Sequence, residues 1–331
     1  MAHTQKMSSS ELSALWMTYQ KKTMILRILE HLIETAEDKN AKKLMSSLWK
    51  ELHPKVLEIK TLMQNEGAVV PVGFTEADVN LSAPRLFENG FDILLCRVLK
   101  EISLGLYTLH LTMSYRKDIV KLYQELTQIT QKYYNNFTQY SFEKGHLPLP
   151  NYINMPKIID FVTDKNYTKG FGLGGNKRPL NTIEFSYLFH SLQTNAVGLQ
   201  LITGFAQCAQ DKKVQKHMIN GKDLCKNIIK KTDEVLIQND VSSSSVSGAS
   251  VTVSQASPFS EKLMMYCIYL LSNFGLGGQG FGAGFSMRDD INLIFGLYAK
   301  DTYQFIREGL KLMIERGWLE EPPKMDVNEL D

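Results

Sequence analysis

Apolar residues near the start of the chain fall at Leu12, Leu15, Trp16, Tyr19, Leu26, Leu29, Leu32 and Ile33, with Lys, Glu and Thr between them. Steps of three and four follow one face of a helix, whereas a strand would alternate. Ser8-x-x-Glu11 precedes the run as a capping box, so a helix is predicted from there to about Thr35. A second helical stretch, from about Ala41 to Gln64, follows after a few polar residues and should lie antiparallel to the first, with Pro54 kinking or interrupting it. Residues 67 to 88 carry proline and glycine and hold no helical period. A helix of some 26 residues is roughly 39 Å long, and on the order of 12 extended residues span it, so this connection can run back along the bundle. The second and third helices can then be parallel, as in ferritin-like bundles with one long crossover. A third helix is predicted over Phe91 to Met113, and a fourth carries Ile119, Leu122, Tyr123, Leu126, Ile129, Tyr133, Phe137 and Tyr140, closed by Gly145.

The pattern then recurs. Asn181-x-x-Glu184 is a second capping box, and Ser186, Leu188, Phe189, Ala209, Asp211 and Lys212 match Ser13, Leu15, Trp16, Ala36, Asp38 and Lys39 at a single offset of 173 residues. Further on, Val251-x-x-Ser254 echoes Val79-x-x-Ser82, Phe259 echoes Phe87, and Leu276-Gly277 echo Leu104-Gly105. SMRDDI (286 to 291) echoes SYRKDI (114 to 119), and Glu315-Arg316-Gly317 echo Glu143-Lys144-Gly145, all at an offset of 172. The prediction is an all-α protein: a tandem pair of ferritin-like four-helix bundles, each with one long crossover connection. The first bundle is placed at residues 1–150, a proline- and glycine-rich connection at 151–180 and the second bundle at 181–331. The second crossover, DVSSSSVSGASVTVSQASP, is serine-rich.

Several runs together, VPVGFTEADVNLSAP, RPLNTIE, PFSEKLMMY, SMRDD and GWLEEPPKMD, resemble the domain-of-unknown-function family 3231 of spore-forming bacilli, over nearly the whole chain in a two-copy arrangement. The resemblance implies a ferritin-like bundle and the spore-coat-like label often given to such proteins; it carries no catalytic or binding residues.

Composition narrows the partners. The 331 residues include 37 Lys and Arg against 35 Asp and Glu, with signs mixed along the chain, so no nucleic-acid arm is expected. Cys96, Cys208, Cys225 and Cys267 are far apart, which fits reduced thiols in a cytoplasmic protein better than zinc or disulfides. The amino end, MAHTQKMSSS, has no apolar run and predicts no signal peptide. Residues 263–287 hold no charged side chain and are long enough for a bilayer, with Gly278/Gly282 and Gly280/Gly284 at GxxxG spacing. The matching segment of the first half carries Arg97, Lys100 and Glu101, which favours a helix crowded by protein neighbours over a membrane span.

A dimetal bundle needs a Glu from each of two helices and a Glu-x-x-His from each of the others. Glu143 and His146 form the one such pair, and Gly145 ends the helix between them. Glu30, His31, Glu34, Glu51, His53, Glu101 and His110, and His190 and His217 in the second half, do not complete the set, so no metal and no cofactor are expected. Gly170-x-Gly172-x-x-Gly175 and Gly275-x-Gly277-x-x-Gly280 match the dinucleotide fingerprint by letter but follow no strand. The duplicated Ser114/Arg116/Asp118 and Ser286/Arg288/Asp290 stand at the turn between the third and fourth helices of each half. They are read as structural in preference to an anion site: the Asp accepting amides at the start of one helix, the Arg meeting carbonyls at the end of another or of the crossover loop. The functional expectation is a non-enzymatic structural or interaction protein, spore-associated, with protein partners or self-association. The alternatives are an atypical ferritin-like metal protein or oxidoreductase, and a membrane-associated helical protein.

Overall fold

The computed structural model describes residues 5–88, 90–170, 177–242 and 251–325. Among them are eight α-helices: α1 (Ser9–Thr35), α2 (Lys39–Asn65), α3 (Phe91–Thr112), α4 (Lys117–Glu143), α5 (Thr182–Cys208), α6 (Lys212–Ile237), α7 (Glu261–Phe285) and α8 (Asp289–Glu315). No strand forms among the described residues, and the extended backbone there is limited to isolated bridges such as Val79 with Phe259. The chain is all-helical, a tandem of four-helix bundles.

The predicted starts hold for a stated reason. Ser8 accepts from Glu11 N while Glu11 reaches back to Ser8 N, and Asn181 and Glu184 repeat both bonds. Asp38 and Asp211, also one repeat apart, each accept two amides at the starts of α2 and α6. Gly145 and Gly317 take φ +69 and +65 just past α4 and α8, a conformation open to glycine because it has no Cβ. Pro54 does not interrupt α2, which is helical from Lys39 to Asn65. Proline removes one amide donor, and burial of Leu48, Leu52, Val56 and Ile59 on either side holds the helix through it.

The hydrogen bonds fix the direction of each helix in the first bundle. Ser10 at the start of α1 donates to Met113 O at the end of α3, and Glu11 accepts from Tyr115 and Arg116 at the start of α4. Glu66, just past α2, pairs with Arg116. The ends of α2 and α3 therefore lie together and the two helices are parallel, so residues 66–90 form the long crossover. α1 packs on α2, α3 on α4 and α5 on α6.

The residues cluster into two compact units. The first comprises 1–144 with 252–264 and 313–331, as far as these are described. Its core includes Leu15, Trp16, Ile59, Met63, Tyr107, Leu122 and Tyr123. The added segments tie down its crossover: Ser260 donates to Asp78, Asn80 N to Pro258 O, and Glu320 accepts from Val72 and Gly73. The second unit comprises 145–251 and 265–312, with a core of Leu188, Leu192, Ile228, Leu236, Ile291, Phe295 and Tyr298. The aromatic residues at helical spacing along α4 and α8, Tyr123, Tyr133, Phe137, Phe295, Tyr298 and Phe305, are buried, whereas Trp318 lies beyond the end of α8 and is only partly covered. No helix among the described residues is long and apolar enough to cross a membrane.

Candidate functional site

The duplicated Ser-x-Arg-x-Asp builds a junction in each unit, around a glutamate from another helix. In the first unit Glu11 is fully buried, and its Oε1 accepts from Tyr115 N (2.8 Å) and Arg116 N (2.7 Å). Burial alone would raise the Glu11 carboxyl, but the amides of Ser8, Arg116 and Tyr115 outweigh it and hold it below the usual carboxylate range. Arg116 forks onto Asp118 at 2.8 and 2.9 Å and pairs with Glu66. Ser114 Oγ donates to His110 O at 2.7 Å.

The second unit repeats this with Glu184, whose Oε1 accepts from Met287 N (3.1 Å) and Arg288 N (3.0 Å). Arg288, 1% exposed, forks onto Asp290 at 2.8 and 3.0 Å. Its Nη1 donates to Arg178 O and Asn239 Oδ1, both at 2.8 Å, so an amide stands one repeat on from Glu66. Arg178 holds Glu184 at 2.6 and 2.9 Å, and Ser286 Oγ donates to Gly282 O. Each of the three guanidinium nitrogens of Arg116 and of Arg288 donates to a protein acceptor, so the junctions read as clasps between helix ends. The arginine meets mainly side chains, and a carbonyl only in the second copy. Capping boxes named Glu11 and Glu184 but not their reach across more than a hundred residues.

The candidate metal ligands are dispersed. Glu30 accepts from Arg27 and Trp49, Glu51 from Lys132 and Tyr133, His53 stacks on Trp49, and His217 stacks on Phe305 at 4.2 Å. Among the described residues no three His, Cys, Asp or Glu side chains converge as a metal ion would require. Cys96, Cys208 and Cys267 are buried, Cys225 is partly so, and all four are free thiols. Gly275, Gly277 and Gly280 lie inside α7, where no helix start is available to a phosphate. Gly170 packs against Asp290, while Gly172 and Gly175, like Ser243 to Ser245 of the serine-rich crossover, lie outside the described residues.

Two features were not anticipated. The first is a set of lysines inside the first bundle: Lys21 and Lys22 on α1 and Lys100 on α3 are fully buried, and none of their ammonium nitrogens has a hydrogen-bond partner. Lys21 Nζ stands 3.9 Å and Lys22 Nζ 4.9 Å from the centroid of the Tyr107 ring. Nearby, Thr18 Oγ1 lies 3.1 Å from both His110 Nδ1 and Tyr123 Oη. Burial lowers all three lysines, Lys100 to about 8. One signal was present: Lys22 is three residues after Tyr19 and four before Leu26, on the apolar stripe itself. At the matching offsets the second half carries Thr194, Asn195 and Ser272, and Thr194 and Asn195 bond to backbone carbonyls of their own helix.

The second feature is an open face of the second unit, where the sequence predicts a helix crowded by protein neighbours: of the GxxxG glycines only Gly282 is packed against a side chain. Along α7 Asn273, Gly277, Gly280, Phe281, Gly284 and Phe285 form one exposed stripe. A Cβ added at Gly277, Gly280 or Gly284 would meet no atom within 4 Å, whereas one at Gly282 would strike Phe295 at 2.7 Å.

Fold and clasps together define the chain as an all-helical protein of two repeated bundles, each with a Glu–Arg–Asp junction between helix ends. The family described as "Protein of unknown function (DUF3231)" matches residues 1–158 and again 168–330, and the chain belongs to it. No curated protein matches the chain. A solved structure from Bacillus halodurans, described as a candidate spore coat protein, is 21% identical with a TM-score of 0.42, over 45% of this chain and 97% of its own.

Proposed function

We propose that the protein is a non-enzymatic interaction protein that associates with a second copy of itself through the α7 stripe. The observation that carries the reading is the combination of hollows and knobs on that stripe. Gly277, Gly280 and Gly284 leave the backbone bare, and Phe281 and Phe285 stand 60% and 58% exposed beside them. Such a stripe complements itself across a twofold axis, the phenyls of one copy entering the glycine hollows of the other. Glycine in a helix interior costs about 1 kcal/mol relative to alanine, and no packing within the described chain repays it at these positions. Leu293 and Leu297 on α8 and Tyr152, Ile158, Ile159 and Phe161 of the connection add further exposed apolar surface in the same unit.

Sedimentation over a concentration series tests this: a dimer is expected, dissociated by Gly280→Leu or Phe281→Asp. A monomer at all concentrations, or a dimer indifferent to both substitutions, overturns it; recovery with membranes after a salt wash would replace it with the membrane-associated reading. Spore association, which the family resemblance implies, is a separate part of the proposal. Recovery from purified spores is expected, and confinement to vegetative cells would refute that part alone.

A further inference from the structure

We infer that the first bundle binds a small oxyanion, a carboxylate or phosphate group, between Lys21, Lys22 and Lys100. A lysine ammonium carries three donors, and burying it without acceptors costs several kcal/mol in a low-dielectric interior. Here three are buried in one bundle, all unpartnered. Burial lowers Lys21 and Lys22 first, and neighbouring cations lower them further, Lys100 for both and Lys21 and Lys55 for Lys22. The face of Tyr107 offers attraction to Lys21 and Lys22, but a ring face accepts no N–H bond in the plane an oxyanion offers. Elsewhere the bundle pairs its cations: Lys55 bonds to Glu58 and Glu125, and Arg116 to Asp118 and Glu66. An oxyanion among the three lysines would accept from all of them and supply the missing negative charge. The second half carries neutral Thr194, Asn195 and Ser272 at these positions, so one oxyanion per chain is expected. The site is independent of the α7 stripe, and either proposal can fail alone.

Thermal unfolding of the full chain, titrated separately with inorganic phosphate and with octanoate, tests the inference and separates the two sources. One series should raise Tm by roughly 5 °C at a hundredfold excess over Kd. Lys22→Met and Lys100→Met should abolish that shift, and Lys55→Met, outside the cluster, should keep it. A bound anion released on denaturing the purified protein, and absent from Lys100→Met, supports the same conclusion. The inference is overturned if neither series shifts Tm and no anion is released, or if all three variants shift as the wild type does. Should Lys22→Met and Lys100→Met both fail to fold, the anion released from wild-type protein decides.

Discussion

Replacing two glycines of α7 separates the cost of the open stripe from its use. In Gly277→Ala/Gly280→Ala each new methyl group enters space with no atom within 4 Å. Each substitution recovers about 0.8–1 kcal/mol of helix propensity, so the isolated chain should gain about 2 kcal/mol. At about 2–4 °C per kcal/mol for a domain of this order, Tm should rise by about 4–8 °C. Gly282→Ala is the internal contrast, because its methyl group would sit 2.7 Å from the Phe295 ring, and such overpacking costs about 1–3 kcal/mol. Urea unfolding at a concentration below dimerisation measures the stability, and sedimentation at higher concentration measures the association. The double variant should be more stable as a monomer and weaker as a dimer. A double variant no more stable than wild type would refute the helix argument, and one more stable with its association intact would refute the interface.

Two further outcomes are expected. Arg288→Ala removes a fully buried guanidinium, leaving Arg178 O and Asn239 Oδ1 without its donors and Asp290 with Lys177 and the Ile291 amide, and should cost about 3 kcal/mol by chemical denaturation, whereas Arg116→Ala leaves the more exposed Asp118 and Glu66 and should cost less; equal losses would contradict the burial argument. Burial lowers His31, His110 and His217 to about 4, below the unfolded value near 6.5. The unfolded chain therefore binds more protons between those values, so their contribution is complete above pH 6.5 and is lost as pH falls towards 4. Urea unfolding should show a loss of about 2 kcal/mol per histidine between pH 7 and 5, flattened in part by His217→Leu, and a pH-independent unfolding free energy over that range would show the rings to be solvated.

Local chemistry made the helices and their repetition legible. Ser8, Asn181, Asp38 and Asp211 satisfy amides within three residues, and Gly145 and Gly317 stop helices by backbone conformation alone, so their signals stay within one turn of chain. The apolar stripe of α1 and the long segment before α3 then set the bundle and its crossover. Pro54 shows where local reasoning ends: its missing donor is a local fact, but the packing of Leu52 and Val56 that carries α2 past it is not.

What only the tertiary structure decided is which polar groups are denied water. Lys22 could be placed on the stripe by counting, but Lys21 and Lys100 are denied water only once α1 and α3 pack in the bundle, Lys21 against the Tyr107 ring. Glu11 and Glu184 carry the capping-box signature, yet their second oxygens find Tyr115 and Met287 only once the bundles close. The glycines of α7 divide in the same way, Gly282 against Phe295 and Gly277 and Gly280 in the open. Spacing along a chain sets which face of a helix a residue occupies; what that face meets depends on helices distant in sequence.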